Sequence, residues 1–503
     1  MNGDPGFATV DAPLAHWARS RPDAIAIDDG RRSLTFAGLA AAVQARAAAL
    51  ARVAAPEIVW VNDSADVPTR LVDFLGIVAS GRCAAVGDPD WPSAVRARIV
   101  ASVAQGRATM GPPGPDTPFY IGFTSGSTGR PKGFRRNHRS WAESFRVCVE
   151  EFGDGAATRV LAPGRASHSL FLFGMLLGLW TGEGVVVQEQ FSAPRTLESL
   201  ARGQASCLVA VPSQLLVMLE LAKRRKRAPI PGVRHIMISG ARWMRHRTPA
   251  LRALFPQARI VEFYGASEAS FIAWTDADPD LPAQAVGRPF SNVELDIRNA
   301  REPGGPGLIY VRSPMLFMDY VGGDDETAAL RDGDWLSVRD MGYLDDAGRL
   351  CLVGREKRMI VTQGKNLFPE EVETVLAAHP GVAAVSVHGV PDALRGMQVV
   401  AVVEPAPGAT VHASELTAWC RARLEAYKAP RRYYVCDRCP LTASGKTDHA
   451  ALTARLATVS AGGAAAASAS TETDEPVLAG VSAGSTGAAT GADESEPWLR
   501  PLH

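Results

Sequence analysis

A short stretch rich in glycine and hydroxyl side chains carries the clearest chemistry in the sequence. It runs from Phe119 to Gly133 and reads F-Y-I-G-F-T-S-G-S-T-G-R-P-K-G. Glycines let backbone N–H groups come close to a ligand, while hydroxyls and a lysine add hydrogen bonds and charge. The spelling is not that of a P-loop, because no Gly-Lys-Ser/Thr ends it. These residue types indicate a loop that wraps a polyphosphate, with the candidate contacts Thr124, Ser125, Gly126, Ser127, Thr128, Gly129 and Lys132.

A flexible glycine- and serine-rich linker is the alternative interpretation of this loop. A linker needs neither the apolar β-type run at Phe119, Ile121 and Phe123 nor the Pro-Lys-Gly that follows. The ordered combination therefore favours a ligand-binding loop after a strand.

Downstream segments alternate between strand-like and helix-like patterns, which is typical of an α/β fold with a largely parallel sheet. The predicted strands are Cys207–Val211, His235–Ser239 and Arg259–Phe263, and the predicted helices are Ser213–Leu221 and Arg242–Leu254. In such sheets ligands bind beyond the carboxyl ends of the strands. Two short sequences follow strands there, Ser239-Gly240-Ala241 and Tyr264-Gly265-Ala266-Ser267-Glu268. Both are candidates for ligand contacts.

The glycine-rich loop resembles the phosphate loop of the adenylate-forming superfamily, which includes acyl-CoA synthetases, aryl-CoA ligases, luciferases and the adenylation domains of peptide synthetases. The sequence from Tyr264 to Glu268 resembles the family signature Y-G-x-T/S-E. Further motifs follow in the family's order between residues 10 and 455. Since no Gly-Gly-x-Ser carrier site is present, the chain looks closest to a stand-alone acyl-CoA synthetase.

The resemblance implies roles for the residues of the two turns. Tyr264 would stack on adenine, Ser267 would donate to the α-phosphate, and Glu268 would bind the Mg²⁺ that accompanies ATP. Small residues would let the flat base lie against the backbone, and Gly240, Ala241 and Gly265 belong to this nucleotide set.

Two further charged residues match the family's nucleotide motifs. Asp340 would accept both ribose hydroxyls, and Arg355 would lie beside the ribose and the α-phosphate. The family usually has Thr-Gly-Asp at the first of these sites, whereas Val338-Arg339 precedes Asp340 here. The bulkier Arg339 is the clearest departure from the family pattern.

The stretch Ser167–Gly174 enters the acyl pocket in the family. His168 would flank the substrate carboxylate, and Phe173 and Gly174 would line the pocket; alternatively, His168 only caps an apolar helix. No acidic residue occurs between Pro163 and Trp180. A free α-amino acid is therefore disfavoured, because nothing there would hold its ammonium group.

The family resemblance also implies the domain organisation. We expect a large AMP-binding domain of βα units around mostly parallel sheets over residues 1–354, and a small mobile α+β domain over residues 355–457. The hinge would be Lys357, Gly364 would border the thiol tunnel, and Lys446 would reach into the active site as a catalytic residue. Residues 458–503, rich in Ala, Gly and Ser, predict a disordered tail.

Composition narrows the function classes. Lys plus Arg and Asp plus Glu balance at 53 each, so nothing indicates a nucleic acid partner. The most apolar run, Leu170–Trp180, is too short to span a bilayer, and no signal peptide is evident. Seven cysteines, an odd number, favour a reducing, cytoplasmic environment. Cys436 and Cys439 form a lone C-x-x-C, which predicts small apolar residues around a strand rather than a metal site.

The resemblance implies a two-step ligase for a fatty or aromatic acid, with ATP and Mg²⁺. The carboxylate would attack the α-phosphorus of ATP to give acyl-AMP and pyrophosphate, and CoA would then take the acyl group. A second hypothesis delivers the acyl group to the pantetheine of a separate carrier protein. A third, a non-catalytic nucleotide-binding protein, would require losses at Glu268, Asp340, Arg355 or Lys446, and all four are present.

Overall fold

The computed structural model describes residues 6–103, 112–125, 131–321, 329–362, 365–392, 396–441, 447–468 and 499–502. The chain divides into two compact units, the first ending at Glu356 and the second beginning at Lys357. Each unit has hydrophobic cores of its own.

The helices of the first unit are α1 (Ala12–Ser20), α2 (Phe36–Arg52), α3 (Val67–Ala79), α4 (Ser93–Ser102), α5 (His138–Phe152), α6 (Ser169–Trp180), α7 (Ala193–Ala201), α8 (Pro212–Arg224) and α9 (Thr248–Leu254). Its strands are β1 (Ile25–Asp28), β2 (Ser33–Thr35), β3 (Ile58–Trp60), β4 (Cys83–Ala85), β5 (Pro118–Ser125), β6 (Pro131–Asn137), β7 (Val160–Ala162), β8 (Val185–Val187), β9 (Cys207–Ala210), β10 (His235–Ile238), β11 (Arg259–Ala266), β12 (Ser270–Asp276), β13 (Ala285–Pro289), β14 (Glu294–Arg298), β15 (Gly307–Arg312), β16 (Asp319–Tyr320), β17 (Leu330–Asp332), β18 (Trp335–Ser337), β19 (Asp340–Leu344) and β20 (Leu350–Arg355).

In the first unit, strands that are linked by helices pair in parallel, and strands that are linked by shorter segments pair antiparallel. β8, β7, β9, β10 and β11 lie side by side in this order as parallel strands, since helices link most of them. From β11 to β12, β13, β20 and β19 the same sheet is antiparallel. A second sheet joins β3, β4 and β5 in parallel and adds β6 and β16 antiparallel. The predicted α/β class, with a large and a small unit, is confirmed. The expectation of mostly parallel sheets holds for β8 to β11 and for β3 to β5, but the strands from β11 to β20 are joined by short connections and pair antiparallel.

The apolar helix α6 shows how the core forms. Every residue from Phe171 to Trp180 is buried, which is the behaviour of a helix that is hydrophobic on all sides. The helix packs on β7 and β8, whose residues are also buried throughout. This core supports the strands that carry the candidate site.

The second unit contains the helices α10 (Pro369–Ala377), α11 (Ala413–Arg421) and α12 (His449–Ser468) and the strands β21 (Ile360–Thr362), β22 (Lys365–Leu367), β23 (Val382–Asp392), β24 (Gly396–Pro405), β25 (Arg432–Cys436) and β26 (Leu499–Leu502). β23 and β24 form a long antiparallel pair, and β25 joins β24 in parallel. Two acidic residues in the first turn of α10, Glu370 and Glu371, suit the positive end of the helix dipole.

The end of the chain differs from the prediction of a disordered segment over residues 458–503. Helix α12 continues to Ser468, because alanine has the highest helix propensity. Strand β26 pairs antiparallel with β25, and Leu499 is 2% exposed. A few apolar residues are thus enough to attach the last strand to the sheet, and the prediction is wrong for these two segments. Residues 469–498 lie outside the described part of the chain.

Candidate nucleotide site

The glycine-rich loop joins two antiparallel strands of the smaller sheet. β5 ends at Ser125 and β6 begins at Pro131, and their register brings Thr124 opposite Lys132. Thr124 and Lys132 are both half-buried. The hairpin therefore holds the two ends of the predicted phosphate loop one strand spacing apart. The predicted contacts Gly126, Ser127, Thr128 and Gly129 lie outside the described residues.

The turn between β11 and β12 is tightly constrained. A Cβ atom on Gly265 would come 2.0 Å from the carbonyl oxygen of Ser270, so glycine is required there. Ser270 has a φ of +56°, a left-handed conformation that serine rarely adopts. Ser267 and Glu268 lie between these two constrained positions, and this backbone therefore fixes where their side chains start.

The second predicted turn leaves the same edge of the sheet. β10 and β11 are parallel neighbours with Ile238 opposite Glu262, so the residues after each strand end lie side by side. Gly240 has a φ of +86°, and it and Ala241 are exposed. The structure thus brings Gly240 and Tyr264 to one edge.

Glu268 is 9% exposed, and its Oε1 accepts a hydrogen bond from the Tyr320 hydroxyl at 2.9 Å. Its backbone carbonyl accepts from the Phe317 N–H at 2.7 Å. Within the described part of the chain, Glu268 forms no ion pair. A nearly buried carboxylate held by a neutral hydroxyl keeps its charge available for a hard cation such as Mg²⁺.

Asp340 lies at the start of β19 and is 6% exposed. The Tyr264 hydroxyl donates to its Oδ2 at 2.5 Å, and Arg355 Nε lies 3.0 Å from Oδ1. The contact with Arg355 is an ion pair without hydrogen-bond geometry, since Oδ1 accepts no hydrogen bond from any described residue. Burial, and after it the Asp340 charge, raises the pKa of Tyr264 well above its usual value. A buried carboxylate oxygen with free acceptor capacity fits the hydroxyls of a ribose.

Arg339, the departure from the family pattern, takes the conformation that a glycine would have. Its φ is +63°, and its backbone carbonyl accepts a hydrogen bond from the Glu356 N–H at 3.0 Å. Its guanidinium pairs with the Glu356 carboxylate. The residue is therefore accommodated directly before β19, at the expense of local backbone strain.

The residues predicted to line an acyl pocket have different surroundings. His168 is half-buried and occupies the N-cap position of α6 without a capping hydrogen bond from its side chain. Phe173 is 7% exposed and stacks on Phe145 with ring centroids 4.9 Å apart. A Cβ atom on Gly174 would lie 3.0 Å from Val209 Cγ2. Core packing therefore accounts for Phe173 and Gly174, and the acyl-pocket roles stay predictions.

The residues predicted to serve the second step lie at or beyond the boundary of the first unit. Lys357 belongs to a short 3₁₀ segment, Glu356–Arg358, at the boundary itself. Gly364 and Lys446 lie outside the described residues.

Two residues near Glu268 have no role in the sequence analysis, Tyr320 on β16 and Arg136 on β6. Arg136 is fully buried, and burial lowers its pKa to about 9 against the opposing effect of the Glu268 charge. The guanidinium therefore stays charged at neutral pH. One signal was available, because Arg136 lies two residues after the buried Phe134 and so shares its strand face. A charge on a core face needs buried partners.

Clustered metal ligands, disulfides and membrane-spanning helices are absent from the described part of the molecule. No group of three or more His, Cys, Asp or Glu side chains there has the arrangement of a metal site. Cys436 and Cys439 are buried free thiols with sulfur atoms 3.5 Å apart. None of the described helices is both long enough and apolar enough to cross a membrane.

Known proteins share this sequence pattern and this fold. The family model for AMP-binding enzymes matches residues 59–321, and the model for the C-terminal domain of these enzymes matches residues 371–446. The uncharacterized acyl-CoA ligase YhfT of Bacillus subtilis is 40% identical over 337 residues, 66% of this chain and 67% of that protein. The feruloyl-CoA synthase of an Amycolatopsis species is 32% identical over 377 residues, 70% of this chain and 75% of that protein.

A solved structure supports the same relationship. The amide bond synthetase McbA from Marinactinospora thermotolerans has 25% identity and a TM-score of 0.76, covering 88% of this chain and 99% of that one. The resemblance predicted from the motifs is confirmed, since the first family model alone covers over half of the chain. The chain therefore belongs to the AMP-binding enzymes, the adenylate-forming family.

Proposed function

We propose that this chain is an ATP-dependent ligase that activates a carboxylic acid as acyl-AMP, releases pyrophosphate and transfers the acyl group to CoA. Membership in the AMP-binding enzymes and the 40% identity to an acyl-CoA ligase support this reaction class. The free, buried cysteines fit a reducing environment, and we include a cytoplasmic location in the proposal.

Asp340 is the residue that best supports nucleotide binding in this proposal. Its Oδ1 is buried, charged and without a hydrogen bond from the described chain, so ribose hydroxyls would complete it. Tyr264, whose hydroxyl holds the other oxygen, would present its ring face to the adenine. Arg355 would lie beside the ribose and the α-phosphate.

The first chemical step brings two anions together. The substrate carboxylate attacks the α-phosphorus, the bond to the β-phosphate oxygen breaks, and pyrophosphate leaves. Mg²⁺ bound with ATP supplies charge neutralisation, and Glu268 would hold it. Lys446 would stabilise the charge between carboxylate and phosphate, Ser267 would donate to the α-phosphate, and the loop from Thr124 to Lys132 would hold the departing pyrophosphate.

The second step needs a thiol at the carbonyl of the mixed anhydride. The thiolate forms the new bond to carbon, and AMP leaves with the former carboxylate oxygen. Lys357 would act as the hinge of a domain rotation that removes Lys446, and Gly364 would border the path of the thiol. The acceptor is CoA; the pantetheine of a separate carrier protein is the alternative.

The substrate acid is fatty or aromatic. Helix α6, which follows His168, contains no charged residue, and no acid is available in this stretch to hold an ammonium group. An uncharged substrate tail is therefore preferred over an amino acid.

The direct test is product analysis across an acid panel. Purified protein, ATP and Mg²⁺ are incubated with fatty and aromatic acids, with and without CoA, and pyrophosphate, AMP and thioester are quantified. We expect AMP, pyrophosphate and acyl-CoA in equal amounts with the preferred acid. Acyl-AMP without acyl-CoA, followed by loading of a pantetheinylated carrier, would favour the alternative acceptor. Release of ADP would contradict the proposal.

A further inference from the structure

We propose that Arg136 is the positioning residue of the magnesium-binding carboxylate, holding the turn that carries Ser267 and Glu268 against the strand that leaves the glycine-rich loop. The inference rests on the proposed function only in taking Glu268 as the magnesium ligand. It adds a residue that the family motifs do not include.

The guanidinium of Arg136 joins segments that are far apart in sequence. It donates to the Ser267 carbonyl oxygen at 2.7 Å, to Ser270 Oγ at 2.5 Å and to the Met315 carbonyl oxygen at 2.6 Å. Its Nε donates to Ser140 Oγ at 3.1 Å. The side chain is 0% exposed. An arginine presents five donors in a fixed planar fork, whereas a lysine presents three donors on a single nitrogen and cannot span acceptors so widely separated.

Two of the four hydrogen bonds from Arg136 are made to the strained turn between β11 and β12. Ser270, at a φ of +56°, receives one of the four hydrogen bonds, and the peptide before Glu268 receives another. Strained backbone persists where its surroundings over-determine it. Arg136 supplies this constraint from β6, whose first residues close the glycine-rich loop. One side chain therefore connects the strand that follows the loop to the turn that carries the carboxylate.

The Arg136 guanidinium also balances the negative charge of Glu268. Arg136 is a buried cation whose charged form is favoured by Glu268, and Glu268 has no direct ion-pair partner in the described chain. The arginine binds the peptide next to Glu268 rather than its carboxylate, so the charge balance is met while the carboxylate oxygens stay available. A direct ion pair would compete with a metal ion.

The test is calorimetric binding of ATP with Mg²⁺, and of ATP with a chelator, to the full-length protein and its variants. Arg136→Lys keeps the charge and loses the fork, and we expect it to weaken binding of magnesium ATP by about tenfold or more while metal-free ATP binding changes little. Arg70→Lys is the matched control, because Arg70 is 5% exposed and also donates to two backbone carbonyls, those of Asp63 and Ala65. It should bind magnesium ATP as the wild type does.

A double variant isolates the route through Glu268. If Arg136 acts by positioning Glu268, then Arg136→Lys combined with Glu268→Gln binds no more weakly than Glu268→Gln alone. Additive losses, or equal losses in the Arg70 and Arg136 variants, would overturn the proposal. Should Arg136→Lys fail to fold, Ser270→Ala removes one contact and should give a smaller magnesium-specific loss; an unchanged affinity would count against the proposal.

Failure of this inference is distinguishable from failure of the ligase function. Binding needs no acid and no thiol, so it decides the role of Arg136 even if no acid is activated. Wild-type binding that is indifferent to Mg²⁺ would overturn the roles of Arg136 and Glu268 together, while the pyrophosphate assay judges the ligase reaction separately.

Discussion

Two carboxylates of the first unit, Asp340 and Glu268, have similar hydrogen-bond partners but differ in whether a cation is paired with them. Each accepts a hydrogen bond from a tyrosine hydroxyl, Tyr264 at 2.5 Å and Tyr320 at 2.9 Å. Asp340 also has the cation of Arg355 within 3.0 Å. Glu268 instead has a buried arginine bonded to the preceding peptide.

The difference separates two kinds of ligand. A carboxylate paired with a cation has its charge compensated, and its remaining acceptor capacity suits neutral donors such as ribose hydroxyls. A carboxylate without a direct ion pair keeps its charge for a metal ion. Variants at the two sites should therefore change different quantities.

The largest effect is expected at Glu268. Glu268→Gln keeps the size and an acceptor for Tyr320 but removes the charge. Acyl-AMP formation should slow by about 10²-fold or more, the scale of a lost electrostatic contact in a transition state. Single-turnover kinetics measure this, with the thermal midpoint as the folding control. Wild-type rates at saturating Mg²⁺ and ATP would remove Glu268 from the site.

Asp340→Asn should mainly weaken nucleotide binding. Loss of hydrogen bonds to a charged acceptor corresponds to about 1.5–3 kcal/mol, which is about 10- to 150-fold in the ATP dissociation constant. Calorimetry with ATP and with AMP measures it. The loss should be the same with and without Mg²⁺, and a loss seen only with Mg²⁺ would erase the distinction between the two carboxylates.

Substitutions of the two tyrosines should change activity less than those of the carboxylates, and each should change a different kinetic quantity. Tyr320→Phe and Tyr264→Phe each remove one hydroxyl, and each should have an effect of about tenfold or less. Tyr320→Phe should raise the Mg²⁺ concentration for half-maximal adenylation. Tyr264→Phe should raise the KM for ATP and leave the Mg²⁺ requirement unchanged. Identical profiles for the two variants would contradict the assignment.

The smallest effect concerns the backbone that carries Asp340. Arg339→Gly relieves the left-handed strain, whereas Arg339→Ala keeps it, and both lose the partly exposed ion pair with Glu356. The glycine variant should therefore be more stable than the alanine variant by about 1 kcal/mol. Chemical denaturation measures the difference. Equal stability would mean that the strain at Arg339 is negligible.

Sequence reasoning reached the residues of the site that occur in local motifs. The glycine-rich stretch was predicted from its residue types after a strand-like run, and the roles of the Tyr264–Glu268 turn were predicted from its resemblance to the family signature. The structure explains why the second position of the motif is a glycine, since a side chain on Gly265 would collide with the Ser270 carbonyl oxygen.

The supporting contacts could not be predicted from one sequence. The bonds from Arg136 cross 131 residues to Ser267 and 179 residues to Met315, and no local pattern encodes a partner at that distance. The last strand was missed for a related reason. Its apolar residues are too few to indicate a strand alone, and only pairing with β25 stabilises them.

In the proposed reaction, a carboxylate oxygen of the acid attacks the α-phosphorus of ATP. The preferred acid is labelled with oxygen-18 in its carboxylate and converted in the presence of ATP, Mg²⁺ and CoA, and the released AMP is analysed by mass spectrometry. This mechanism predicts one labelled oxygen in AMP and none in pyrophosphate. Unlabelled AMP, or labelled inorganic phosphate beside ADP, would contradict it.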